Sequence, residues 1–361
     1  MTITEQKTYQ SLIARFIEEN TLLCQLEGKT LLLTGATGMI GSFLVDVLMT
    51  RNECLPAAQQ TTVIAMGRNK ERARERFAYC WEKPFFSFVA HDISNSLEGI
   101  LNEPVSYVIH AASNADPVSF ARYPADTLLA NVFGTKNLVD YGMTHGMRRF
   151  LYVSSGEMYG QPDTNMADFV ETYCGPLNFE SARTCYPEGK RAAETLCQCY
   201  IAQYGIDAVI VRPCHIFGPT MTNSDSRAVS EFFRKAIAGE SVVLKSSGML
   251  ERSQCYVADA VDAMLYVLFM GANGQAYNIS DKKYQMTIRE FAQRVADAAS
   301  VQCCFADSTD VEAAGYSTVE RAVLSADKLR EIGWQPHYGI KDGIAETIDI
   351  LRDIHGVGTF L

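Results

Sequence analysis

The sequence predicts an α/β fold: a doubly wound parallel sheet with a smaller C-terminal α/β unit that binds substrate. Three observations predict it. Short, wholly apolar runs alternate with helical patterns as far as Pro213. A glycine-punctuated turn joins the first of these runs to the first of these helices. Beyond Pro213 the rhythm changes to mixed short helices, strands and polar loops. Alternation of strand and helix implies parallel strands covered by helices on both faces, and continuous apolar character suits strands buried on both sides.

Residues 1–27 carry a helical pattern in "YQSLIARFIEEN" and are expected to form an added N-terminal helix. Lys29–Thr34 reads as the first strand, Gly35–Gly41 as a tight turn and Phe43–Met49 as helix. Further strands are expected at "TTVIAM" (61–66), "FFSFVA" (85–90), "SYVIHA" (106–111), "RRFLYVSS" (148–155), "DAVIVRP" (207–213) and "QAYNIS" (275–280). The expected organisation is a dinucleotide-binding Rossmann domain over 28–213, rejoined by 254–280. Residues 214–253 and 281–361 form the substrate unit.

Composition narrows the function classes. With 361 residues, 47% hydrophobic and 20% charged, this is an ordinary globular chain. The longest apolar run, Ala260–Met270, is too short to span a bilayer, and "MTITEQKTYQ" lacks the pattern of a signal peptide. A net charge of −10 argues against nucleic acid, so an anionic ligand requires locally clustered arginine or lysine. Eleven cysteines show no metal-ligand spacing; reduced core thiols in the cytoplasm and no metal site are expected.

"TGATGMIG" places Gly35, Gly38 and Gly41 three apart between a strand and a helix. Glycine there lets the backbone approach a pyrophosphate, whose charge then sits at a helix N-terminus. An acid ending the second strand would bind the adenosine ribose. This chain has Gly67 followed by Arg68, which leans toward NADP; Arg68 could instead lie on the adenine face or be a solvated loop charge. Tyr186 and Lys190 stand at i and i+4 in "RTCYPEGKRAAE" and so share one helix face. A free phenol, with a pKa near ~10, is a poor base at neutral pH. A neighbouring ammonium and a nicotinamide cation both favour the phenolate. Ser155, at the end of the strand in "VSSGEMYG", can bridge a substrate hydroxyl to that phenol; Ser154 and Ser155 could otherwise cap a turn.

The glycine turn, "HDI" (91–93), "HAAS" (110–113), "NVFGTKNL" (131–138), the serine strand and Y-x-x-x-K in this order resemble the extended short-chain dehydrogenase/reductase family, from Gly28 onward. The resemblance implies an NAD(P) cofactor held by Gly35, Thr37, Gly38, Met39, Ile40, Gly41, Arg68, Asp92, Ile93, Ala111, Ala112, Ser113, Tyr186, Lys190 and Pro213. It implies Tyr186, Lys190 and Ser155 as catalytic residues acting on a nucleotide sugar. Within the family, "SGEMYG", "ARTCYPEGKRAAET", "RAVSEFFRKAIAGE" and "ERSQCYVADAVDA" look most like UDP-glucuronate decarboxylases. That likeness adds Glu157 to the catalytic set and implies substrate contacts from Ser155, Glu157, Arg183, His215 and Arg252. Arginines suit diphosphate recognition, whereas either could be a surface ion pair. The implied reaction oxidises the sugar C4 hydroxyl, loses carbon dioxide from the 4-keto acid and reduces the ketone again.

Sister reactions share the first step. A 4,6-dehydratase would need an acid beside the glutamate, and here the pair is Gly156-Glu157. A 4-epimerase or a keto-sugar reductase is the alternative, and a dinucleotide-sensing scaffold is the non-enzyme alternative. The chain departs from the decarboxylase pattern at Cys214-His215 and at Lys245, which leaves the base open; His215 could equally be a neutral core histidine. The amphipathic segments that start at Pro124 and Pro187 are expected, from relatives, to pair with their copies in a homodimer; packing on the sheet explains their apolar stripes equally well.

Overall fold

The computed structural model describes residues 2–115, 117–163, 168–306, 319 and 321–355. The remaining stretches, including 307–318 and 356–361 of the expected substrate unit, lie outside the described residues. In chain order the N-terminal half contains α1 (Lys7–Glu19), β1 (Thr30–Thr34), α2 (Met39–Glu53), β2 (Thr62–Gly67), α3 (Lys70–Arg76), β3 (Phe86–Ala90), β4 (Tyr107–His110), α4 (Pro117–Arg122), α5 (Pro124–Thr144), β5 (Arg149–Val153), α6 (Cys185–Tyr204) and β6 (Ala208–Pro213). The rest contains β7 (His215–Phe217), α7 (Ala228–Ile237), β8 (Val242–Leu244), β9 (Glu251–Tyr256), α8 (Val257–Met270), β10 (Ala276–Ile279), β11 (Gln285–Thr287), α9 (Ile288–Ala299), β12 (Cys303–Phe305), β13 (Arg321–Ala322), α10 (Asp327–Glu331) and α11 (Ile340–His355).

Seven strands form one parallel sheet in the order β10-β6-β5-β4-β1-β2-β3. Alternate residues of each strand feed opposite faces. Leu31, Leu33, Val63 and Ala65 pack with α1, α2 and α8, while Leu32, Ile64, Val108 and Phe150 pack with α5 and α6. The strand order reverses between β1 and β4, so a crevice opens there beyond the carboxyl ends of the strands. A smaller sheet pairs β9 with β7, β11 and β13, and β8 pairs with β12. Helix boundaries follow local chemistry: Gly205 ends α6 in a left-handed conformation, and Thr287 with Glu290 forms a capping box at the start of α9.

Two sequence expectations shift. Strand β3 lies at the edge of the sheet and is only partly buried, because nothing pairs beyond it; its phenylalanines are covered on one side by Trp81. The thiols are not uniformly core: Cys80, Cys185, Cys197 and Cys255 are buried, but Cys24, Cys54, Cys174 and Cys199 are exposed, and all eleven are free.

The N-terminal helix is part of the core. Tyr9 and Phe16 of α1 meet Phe43 of α2 edge to face, at centroid distances of 6.3 and 5.5 Å. Asp46, buried beneath them, accepts from Tyr9 Oη (2.5 Å), Tyr79 Oη (2.7 Å) and the Arg76 guanidinium, so α1, α2 and α3 share one carboxylate. Asp46→Ala strands that guanidinium in a dry site and is expected to cost about 3–5 kcal/mol. Tyr9→Phe removes one hydrogen bond and is expected to cost about 1 kcal/mol. Urea unfolding of the two variants checks both values.

Candidate active site

The crevice is a cleft of about 830 Å³ bordered by the ends of β1, β4, β5 and β6. Gly35, Gly38, Met39, Ile40 and Gly41 form one wall; Ala111, Ser113, Ser155, Tyr186, Lys190 and Pro213 form the floor; Glu157, Arg183, His215 and Arg252 line the far end. Thus the glycine turn and the phenol–lysine pair, about 150 residues apart in sequence, open into one cavity. Thr37, Arg68, Asp92, Ile93 and Ala112 do not line it. Thr37 turns toward a neighbouring small cavity, Arg68 is exposed just past β2, and Asp92 follows β3 with its Oδ1 accepting from Ser94 N at 2.9 Å. Ile93 is buried in the core beneath α5, and Ala112 N donates to Thr34 Oγ1 at 3.2 Å.

The glycine wall fits a dinucleotide. Gly35 has φ +69°, and a Cβ there would lie 2.7 Å from the carbonyl carbon of Ala111. A Cβ on Gly41 would collide with the Gly35 carbonyl oxygen. Only glycine allows this approach, and no side chain caps the α2 N-terminus, which leaves its first amides for an anion. The residues present therefore fit a pyrophosphate-bearing cofactor.

Tyr186 occupies the first turn of α6, with Lys190 one turn on. Lys190 is 2% exposed; its ammonium donates to Val153 O at 2.8 Å and lies 4.9 Å from the Tyr152 ring centroid and 5.7 Å from that of Tyr186. Burial pulls the Lys190 pKa down to about 7, against the pull of Glu194. The Tyr186 phenol is pushed up to about 12 by burial and then by the Glu157 charge, while the Ser155 hydroxyl, Arg227 and Arg183 work the other way. Among the described residues Lys190 Nζ donates only to Val153 O, which leaves its other N–H groups for a further acceptor in the cleft.

The loop carrying Ser155 and Glu157 is fixed against α6. Ser155 Oγ accepts from Glu157 N at 3.2 Å, and Arg191 donates to Met158 O (2.6 Å) and Gly175 O (2.7 Å). Beneath it, Arg212 and Glu194 form a buried two-pronged pair (3.0 and 2.6 Å) that also reaches Tyr159. Arg183 donates to Glu157 Oε2 at 2.8 Å. His215 is held neutral, its pKa pulled down to about 3 by burial and by Arg252 and Arg227. Arg252, 3% exposed, is itself lowered to about 10 by burial. It donates to Glu251 O and Val319 O, both at 2.7 Å.

Sequence reasoning missed two contributors. Phe120 of α4 stacks on Tyr186 (4.6 Å between centroids) and also carries the Arg183 guanidinium on its ring at 4.4 Å. Arg227 lines the cleft and is braced by Asp225 at 2.6 Å. The Asp-x-Arg spacing before α7 was a local signal for that pair; Phe120 gave none. The arrangement provides a dry phenol with a buried amine behind it, a serine hydroxyl beside it, and a cationic far end suited to a diphosphate or carboxylate.

Comparison with known proteins agrees with this geometry. Residues 31–280 match the NAD dependent epimerase/dehydratase family. The chain is 32% identical over 330 residues to UDP-glucuronic acid decarboxylase 3 of Arabidopsis thaliana, covering 90% of this chain and 89% of that one. Among solved structures it resembles a dTDP-glucose 4,6-dehydratase double mutant of Streptomyces venezuelae with NAD bound (24% identity, TM-score 0.75, 91% and 98% of the two chains). It also resembles an epimerase of Methanothermobacter thermautotrophicus (21% identity, TM-score 0.78, 94% and 96%). Those two likenesses speak for the fold. Matched by the family profile over most of its length and by full-length relatives, the chain belongs to the NAD dependent epimerase/dehydratase family.

Proposed function

We propose that this chain is an NAD-using decarboxylase of a nucleotide-linked uronic acid, UDP-glucuronic acid being the substrate its relatives indicate. One observation carries the proposal: Tyr186, Lys190 and Ser155 share a cleft with the glycine wall and a cluster of arginines. Bound, the nicotinamide supplies an acceptor for the two electrons of the C4 alcohol and later returns them. Tyr186 takes the C4 hydroxyl proton, relayed through Ser155. Lys190, behind the ring, stabilises the phenolate and offers its remaining protons to the cofactor ribose. The ketone so formed is β to the sugar carboxylate, so the C5–C6 bond breaks to release carbon dioxide and its electron pair becomes an enolate. Protonation at C5 follows, and Tyr186 returns its proton as the ketone is reduced.

The far end of the cleft supports an acidic substrate. Arg227 and Arg252 stand beside a neutral His215 and Arg183 lines the same cleft, which suits a diphosphate together with a carboxylate. Glu157, paired to Arg183, is assigned to orienting the sugar or a proton-donating water. Dehydration is disfavoured because Gly156 occupies the acid position. A Cβ there would lie 3.1 Å from Leu324 Cδ1, so an acid would have to displace that side chain. The free thiols, four of them at the surface, suit a reducing compartment such as the cytoplasm. No helix among the described residues is long and apolar enough to cross a membrane. Exposed Leu129 and Phe133 on α5 support a homodimer formed across α5 and α6.

Incubation with UDP-glucuronic acid and mass spectrometry of the product is expected to show loss of one carbon dioxide; an unchanged mass would mean epimerisation and overturn the decarboxylase reading. Tyr186→Phe is expected to lower kcat by ~10²–10⁴-fold with little effect on KM. A Leu129→Asp/Phe133→Asp double variant is expected to elute as a monomer in size-exclusion chromatography with light scattering. Lys190 makes a pH prediction for the cofactor-free protein. Its folded pKa of about 7 lies below the ordinary 10.5. Above 10.5 neither folded nor unfolded chain carries the charge; as pH falls toward 7 the unfolded chain gains it first, and below 7 the folded chain bears the full burial cost. Lys190→Met is therefore expected to raise Tm by several degrees near pH 7 and to converge on the parent toward pH 10, as measured by scanning calorimetry.

A further inference from the structure

One ring behind the cleft wall touches both ends of the chemistry. Phe120 lies on α4, the short helix that precedes α5, and is 2% exposed; it does not itself line the cleft. One of its neighbours is the phenol. The Phe120 and Tyr186 rings stack with 4.6 Å between centroids, 28° from parallel. The other is a cation of the substrate end. The Arg183 guanidinium lies 4.4 Å from the centroid of the same Phe120 ring. Arg183 in turn donates to Glu157 Oε2 at 2.8 Å, and its Nε is buried with no hydrogen-bond partner among the described residues.

The ring serves a local cluster rather than the sheet. Phe120, Cys185 and Tyr186, with Leu128 against them, form a small apolar group apart from the packing on either face of the strands. A phenol can turn about its side-chain bonds, and a guanidinium on a long stem has many rotamers; both lose that freedom when they rest on one rigid ring. Ring pairs and cation–ring pairs each prefer a defined geometry, so one side chain sets two orientations at once. Phe120 also keeps the two groups apart and dry. A cation directly against the phenol would favour the phenolate in the resting protein. A solvated phenol would lose the burial that now holds its pKa up to about 12.

We infer that Phe120 is a positioning residue: its ring holds Tyr186 and Arg183 in one stack, so that seating an anionic group of the substrate on Arg183 aligns the phenol with the C4 hydroxyl. The inference rests on the reading of Tyr186 as the proton acceptor in a nucleotide-sugar site.

Purified full-length protein is loaded with NAD⁺ and mixed with UDP-glucuronic acid or UDP-glucose, and transient reduction of the nicotinamide is followed by absorbance in a single turnover. Phe120→Leu refills most of the volume against Tyr186 but offers Arg183 no π face. It is expected to raise the half-saturating sugar concentration about five-fold or more while the maximal rate changes less than about three-fold. Phe120→Ala also strips the cover from the phenol. It is expected to lower the maximal rate about ten-fold or more and to move the acid limb of its pH profile to lower pH. In an Arg183→Met background, Phe120→Leu is expected to add less than about two-fold, because the pair acts as one unit. An undiminished effect of Phe120→Leu in that background overturns the inference. A lowered Tm with neither kinetic value moved assigns the ring to general packing and overturns it too. If the parent reduces the nicotinamide but releases no carbon dioxide from UDP-glucuronic acid, the decarboxylase reading falls and the Phe120 comparison stands on hydride transfer alone. If neither sugar reduces the nicotinamide, both fall.

Discussion

The absence of a side chain at Gly35 is the constraint on which the rest of the site depends. With φ +69° and no Cβ, the turn after β1 passes against the backbone at Ala111, and the crevice between β1 and β4 keeps its shape. A Cβ there would sit 2.7 Å from the Ala111 carbonyl carbon, inside van der Waals contact, so any other residue would force these two strand ends apart. The parallel sheet supplies the crevice by topology, but backbone contact sets its width.

On the opposite side, burial rather than ion pairing tunes the chemistry. Lys190 is nearly dry, and so is Tyr186, and each is pushed away from its charged form. The cofactor-free protein therefore holds a neutral phenol and a partly neutral amine at neutral pH. Buried polar anchors surround this apolar pocket: Arg191 on the Met158 and Gly175 carbonyls, and Arg212 with Glu194 and Tyr159. These bonds hold the serine loop to α6, so the hydroxyl and the phenol move together.

Much of this was legible before any coordinates. The spacing of Gly35, Gly38 and Gly41, and of Tyr186 and Lys190, is local, and one turn of backbone or helix brings such residues together wherever they occur. The strands were legible for the same reason, each being a short apolar run. Phe120 was not, because it is positioned by its stack on Tyr186, far along the chain; Arg227 showed locally only its Asp225 partner, and its place in the cleft depends on the fold. The edge position of β3 was also hidden: "FFSFVA" is as apolar as the central strands, and only pairing order exposes one side of it.

The N-terminal helix has a consequence for biosynthesis. Besides α2, helix α1 touches the last described helix: Gln6 donates to Asp353 at 2.9 Å and Arg15 pairs with Glu346 at 3.0 Å. At ~5–20 residues per second, a ribosome needs tens of seconds between making the first of these partners and the second. Throughout that interval the greasy stripe of Leu12, Ile13 and Phe16 lacks its final cover. Helix α1 is thus made long before the helix that seals it.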